Sequence, residues 1–70
     1  MIDLPDIPHA IVEPAAEGFV AKPLADTPEA HAAFQQAMLK FSRSQTEWGM
    51  VRSKAGRYEA WTEVVFARVG

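Results

Sequence analysis

The densest grouping of chemically active side chains runs from Lys40 to Arg57, where Lys40, Arg43, Arg52, Lys54 and Arg57 surround a single acid, Glu47. Trp48 lies among these cations, and Tyr58 and Trp61 follow closely. Cations that neutralise phosphates, set beside rings on which bases stack, are the working parts of many single-stranded nucleic-acid binders. Arg and Trp are also the residues enriched at the energetic centres of protein interfaces. A third reading makes Trp48 and Tyr58 core residues, with the cations solvated around a loop.

Other chemistries find less support. Ser42, Ser44 and Ser53 lie in no glycine-flanked nucleophile elbow, and the chain has no cysteine. Asp3, Asp6 and His9 recur every third residue, but in an extended segment they point in different directions and make no metal site. His31 falls near the start of a helical pattern and is expected at the surface or its boundary. Glu59 and Glu63 share a face as strand or helix, yet acid–base catalysis needs such a pair in a pocket that shifts their pKa values. Gly18, Gly49, Gly56 and Gly70 match no phosphate-binding spacing. A non-enzymatic protein with no cofactor and no metal is the expectation.

These side chains must be positioned by a very small domain. Seventy residues bury only roughly 60% of the surface that the unfolded chain exposes. Without cysteine, disulfides and thiolate-bound zinc are excluded, which leaves a well-packed core or association with something larger. The composition, 49% hydrophobic and 23% charged, is that of a folded protein. No apolar run approaches membrane-spanning length, and the start Met1-Ile2-Asp3-Leu4-Pro5-Asp6 lacks the pattern of a secretory signal, so a cytoplasmic location is expected. Charge is divided unevenly. Residues 1–35 carry six acids against Lys22, and residues 36–70 carry six cations against three acids. Either the halves neutralise one another within the chain, or the cationic half meets an acidic partner or a second copy.

Prolines at 5, 8, 14, 23 and 28 make the first third extended and turn-rich. Residues 1–9 read as an extended arm, whose Ile2, Leu4 and Ile7 must lie on the body of the protein or on a partner. Ala10–Glu13 and Phe19–Lys22 are short strand-like runs around a Pro-to-Gly loop, a β-hairpin pattern. Thr27 is suited to cap a helix, Pro28 to open it and Glu29 to its first turn. Ala30, Ala33, Phe34, Ala37, Met38 and Phe41 then form one apolar face, predicting a helix from Pro28 to about Arg43.

Glu47–Arg52 and Arg57–Val69 read as a second hairpin, with Lys54-Ala55-Gly56 as its loop and Gly56 in the left-handed conformation. That register sets Arg52 opposite Tyr58, Met50 opposite Ala60 and Trp48 opposite Thr62. It directs Trp48, Met50, Tyr58, Ala60, Val64 and Phe66 at the helix and leaves Val51, Trp61 and Val65 on the opposite face. It also sets Glu47 against Glu63, an unfavourable pairing. A competing periodicity through Tyr58, Trp61, Thr62, Val65, Phe66 and Val69 fits a second helix.

The expected architecture is α+β, a small β-β-α-β-β domain over residues 10–70 with one amphipathic helix on an antiparallel sheet and a Pro-rich arm in front. A small, mostly helical domain is the alternative. One helix covers one face of a sheet, so a bulky Trp61 on the other face implies a covering partner. The functional expectation is a protein–protein interaction module or accessory subunit that binds a protein partner or another copy through Ile2, Leu4, Ile7, Val51, Trp61 and Val65. Such a build occurs in subunits of phage particles, in larger bacterial complexes and in inhibitors of larger proteins, a likeness of build alone. The alternative is single-stranded nucleic-acid binding through Lys40, Arg43, Arg52, Lys54 and Arg57, with Trp48 and Tyr58 stacking.

Overall fold

The computed structural model describes residues 4–69. Strands β1 (Ala10–Pro14) and β2 (Gly18–Pro23) are followed by helix α1 (Pro28–Ser44), then by strands β3 (Trp48–Ala55) and β4 (Trp61–Arg68). All four strands join one antiparallel sheet in the order β1-β2-β4-β3. The expected β-β-α-β-β order is therefore present, and the segment that also fitted helical spacing is a strand.

Local chemistry accounts for the helix ends. The Ala30 N–H donates to Thr27 Oγ1 at 3.1 Å, Pro28 occupies a position that needs no donor, and Glu29 and Arg43 complement the helix dipole at its two ends. At the far end the Gln45 N–H donates to the Phe41 carbonyl at 3.1 Å.

The core lies between α1 and one face of the sheet. Phe34 and Met38 descend from the helix onto Phe19 and Ala21 of β2 and Val64 and Phe66 of β4, all fully buried. Phe19 and Phe66 are direct cross-strand neighbours, and their rings stack with centroids 4.9 Å apart. Phe41 meets Phe66 edge-on at 5.2 Å, and Trp48 meets Phe19 edge-on at 4.9 Å. Trp48 starts β3, two strands from Phe19, and its ring reaches across the end of β4. Glycine at 18 permits this reach, because a Cβ there would collide with the Phe66 carbonyl and lie 2.9 Å from the Trp48 ring. Ile7, from the segment before β1, completes the core and is buried, while Leu4 packs half-buried against it.

The second hairpin corrects the expected register. Trp48 faces Arg68, Met50 faces Phe66, Lys54 faces Glu63 and Ala55 faces Trp61. The loop is longer than three residues: the Gly56 N–H donates to the Ala60 carbonyl, the Glu59 N–H to the Gly56 carbonyl, and Glu59 holds the left-handed φ of 54°. Gly56 serves a different need, since a Cβ there would run into the Thr62 side chain. Two irregularities follow, one at Val51 and one at Thr62. Each adds a residue to its strand and reverses the alternation of faces beyond it. Trp61 is thereby turned to the helix side, where it packs half-buried against the core, and its backbone N–H donates to Gln35 Oε1 at 2.9 Å. It does not stand on the open face beside Val65. The expected Glu47–Glu63 opposition also disappears: Glu47 reaches Arg68 at 3.7 Å and Glu63 faces Lys54.

Candidate functional site

The face of the sheet away from the helix carries rows of alternating character. Ile11 faces Lys22 and Glu63 faces Lys54, and Glu13, Val20, Val65 and Arg52 form a row across all four strands. Lys22 Nζ lies 3.2 Å from Glu13, and Arg52 makes a two-pronged pair with Glu17, both N···O distances 2.6 Å. Arg52 is on β3 and Glu17 directly precedes β2, so this pair spans the central strand β4. The hydrogen bonds from Arg52 hold the Glu17 carboxyl below its ordinary pKa, and those to Glu17 raise that of Arg52. Val65 is buried although no helix lies over it, and it shares the wall of a small cavity with Arg52. Charged side chains cover much of this face.

A second cluster ties the tip of the β3–β4 hairpin to the start of α1. Asp26 receives Arg57 at 3.3 Å and His31 Nε2 at 3.3 Å, while the Tyr58 hydroxyl donates to the Asp26 carbonyl at 3.1 Å. The Tyr58 ring stands edge-on to His31 at 4.9 Å. His31, expected at the surface or its boundary, is buried because residues of three segments close around it. Nothing in the helical periodicity announced this, since Asp26 and Tyr58 come from the loops on either side.

The sequence candidates are consequently dispersed. Trp48 is buried among aromatic rings with the Arg68 guanidinium 5.1 Å above it, and Tyr58 is engaged with Asp26 and His31. Trp48 offers no free face for stacking, and Tyr58 is only partly exposed. Arg52 and Lys54 lie on the sheet, Arg57 in the hairpin loop, and Lys40 and Arg43 on the helix. The apolar candidates do not form one surface either. Ile7 is core, Leu4 and Trp61 are half-buried on the helix side, Val65 lies on the other face, and Val51 is exposed on an edge strand. Ile2 lies outside the described residues.

A different arrangement does converge. Residues 6–9 run beside α1, anchored by Ile7 and turned into β1 by His9, whose φ is 63°. Histidine tolerates this left-handed conformation better than most residues. Between this segment and the flank of α1 lies an open groove of about 710 Å³. Ala33, Ala37 and Leu39 with Pro8 supply its apolar surface; His9, Gln36, Lys40, Arg43 and Ser44 supply its polar groups. A neighbouring depression of about 190 Å³, bounded by Asp6, Ile7, Phe41 and the same Ala37 and Lys40, continues it. Ala33, Ala37, Lys40 and Ser44 follow one another at helical spacing, just beside the core stripe of Phe34, Met38 and Phe41. Sequence reasoning assigned Ala33 and Ala37 to the core face and Lys40 and Arg43 to phosphates. The leading segment that walls the groove is the part it could not place.

The cations differ in their surroundings. Lys22, Arg52, Arg57 and Arg68 each have a carboxylate within 4 Å, and Lys54 sits opposite Glu63. Lys40 and Arg43, one turn apart on the groove, have no such carboxylate among the described residues. Arg52–Glu17 and Arg57–Asp26 join the cationic half of the chain to the acidic half, so internal neutralisation accounts for part of the charge division.

Among the described residues no group of His, Asp and Glu could hold a metal ion, and no helix is long and apolar enough to cross a membrane. No protein-family model, curated protein or solved structure matches the chain.

Proposed function

We propose that this chain is a non-enzymatic interaction module, a small accessory subunit that docks a protein partner along the groove between residues 6–9 and α1. The observation that carries the reading is the placing of Lys40 and Arg43. They stand over an apolar-floored concavity with no carboxylate within 4 Å among the described residues, whereas Lys22, Arg52, Arg57 and Arg68 each have one; Asp6, in the adjoining depression, is the nearest acid on the groove side. A groove with an apolar floor and a polar rim has the anatomy of a docking surface. The open face of the sheet supports this role less well, because ion pairs lie across it.

Site-specific photo-crosslinking tests the proposal. A photoreactive residue at Gln36 is expected to give one discrete adduct in extracts of the source cells, competed away by unlabelled wild-type protein. The same residue at Lys22, on the open sheet face, is expected to give none. An adduct from Lys22 alone would transfer docking to the sheet, and no adduct from either position would remove the reading.

A further inference from the structure

We infer that the occupant of the groove is an acidic amphipathic helix of another protein, presenting two carboxylates one turn apart over a strip of small or aliphatic side chains; this rests on the groove being the docking surface. Two features of the site specify such a ligand. Lys40 and Arg43 are at i and i+3, so their Cβ atoms are about 5–6 Å apart, the separation at which carboxylates one turn apart on a facing helix can meet both cations. Below them Ala33 and Ala37 replace bulky side chains on this stripe of α1. Small residues there let a second helix approach near the short end of the usual interaxial range.

A second copy of this chain is a poor occupant. Glu13, Glu17, Asp26 and Glu47 are held by Lys22, Arg52, Arg57 with His31, and Arg68 in turn. The only described acid on α1 is Glu29, in its first turn, so the helix offers no paired carboxylates of its own. A nucleic-acid strand is also disfavoured, because Trp48 is buried, Tyr58 is tied to Asp26 and His31 away from the groove, and the floor of the groove is apolar.

The test uses a fluorescein-labelled, stapled helical peptide of Leu and Ala carrying Glu at i and i+4, and a matched peptide with Gln in place of Glu. Fluorescence anisotropy at low salt is expected to show saturable binding of the Glu peptide. Binding should weaken by about tenfold or more for the Gln peptide and for the K40E/R43E variant, and should weaken progressively with added salt. The charge-matched control K22E/K54E, on the sheet, should bind as wild type does. All four substituted side chains are exposed, and circular dichroism verifies that each variant is folded. Equal binding of the Gln peptide, equal loss in both variants, or no saturable binding would overturn the inference. So would tighter binding of a mixed single-stranded oligonucleotide that K40E/R43E abolishes. If the Gln36 crosslink still forms while the Glu peptide fails, the partner's acidic character is refuted and the docking site stands. If the crosslink is absent, the docking site itself falls.

Discussion

Replacing Ile7 by alanine tests whether the segment before β1 belongs to the fold. Ile7 is 4% exposed and sits in the same cluster as Phe19, Phe34 and Phe66, although it lies outside every strand and the helix. Truncating a buried isoleucine to alanine costs about 2–5 kcal/mol. The depression beside Ile7 gives water and neighbouring side chains some access to the vacated space, which favours the lower part of that range, about 2–3 kcal/mol. A domain of this length has a net stability of about 3–10 kcal/mol, so the loss is a large fraction of the whole. At about 4–8 °C per kcal/mol for a domain of this size, the midpoint of thermal unfolding should fall by about 8–24 °C. Urea unfolding followed by tryptophan fluorescence provides the measurement, because Trp48 is packed against Phe19 and loses that environment on unfolding. The denaturant midpoint should fall while the slope stays constant. A loss below about 0.5 kcal/mol, the range typical of surface substitutions, would refute the reasoning and make residues 4–9 a strap laid over an independently stable body. A chain shortened to begin at Ala10 should, on the same argument, be largely unfolded at room temperature.

Three further outcomes follow from single sites. Glu59 holds φ 54° in the β3–β4 loop, so Glu59→Gly should raise stability by about 0.5–1 kcal/mol, the relief of left-handed strain less the added freedom of the unfolded chain; a thermal melt that shifts downwards would contradict this. His31 Nδ1 is buried without a hydrogen-bond partner, so His31→Phe, which keeps a ring against Tyr58, should be neutral or stabilising by up to about 1 kcal/mol, whereas His31→Ala should cost about 2–4 kcal/mol. Equal losses in both variants, measured by urea unfolding, would show that the contact with Asp26 matters more than the ring. Arg52 lowers the pKa of Glu17, so the contribution of this pair is present above the ordinary glutamate range and disappears as the pH falls through the depressed pKa. Wild type should therefore exceed Glu17→Gln in stability at neutral pH, and the difference should vanish in acid; a difference that grows on acidification would reverse the assignment.

The helix was legible because its signals are local. Thr27, Pro28 and Glu29 mark its start, and the apolar spacing from Ala30 to Phe41 carries it to within one residue of the observed end. The strands and their two hairpins were legible, but the register of the second hairpin was not. Sequence assigned the left-handed turn position to Gly56, whereas Glu59 holds it, and with that choice every cross-strand partner in the hairpin shifted. The bulge at Thr62 could not be read from alternation, because the extra residue reverses the pattern on which the reading depends. Trp61 consequently moved from the open face to the helix side, and the strongest sequence argument for a partner on that face moved with it. The groove was invisible for a related reason: one wall is α1, the other is a Pro-rich segment with no period, and only Ile7 in the core fixes how they lie together. Lys40 and Arg43 were singled out in the sequence only as members of a cationic group that the fold disperses.

The place of β4 in the sheet has a consequence for synthesis. β4 comes after every other element in the chain, yet it lies between β2 and β3 and contributes Val64 and Phe66 to the core. The hairpin β1–β2 is too small to persist alone in water, and β3 has no neighbour in the sheet except β4. A ribosome therefore delivers β1, β2, α1 and β3 before any of them has a sheet to join, and the fold closes only when the last strand is inserted between its two partners. A product that ends before β4 leaves Phe19, Phe34 and Trp48 without their cover, the kind of surface that proteases and chaperones recognise. The domain thus depends on the last of its strands to be made: a product without β4 lacks the one element that joins β2 to β3.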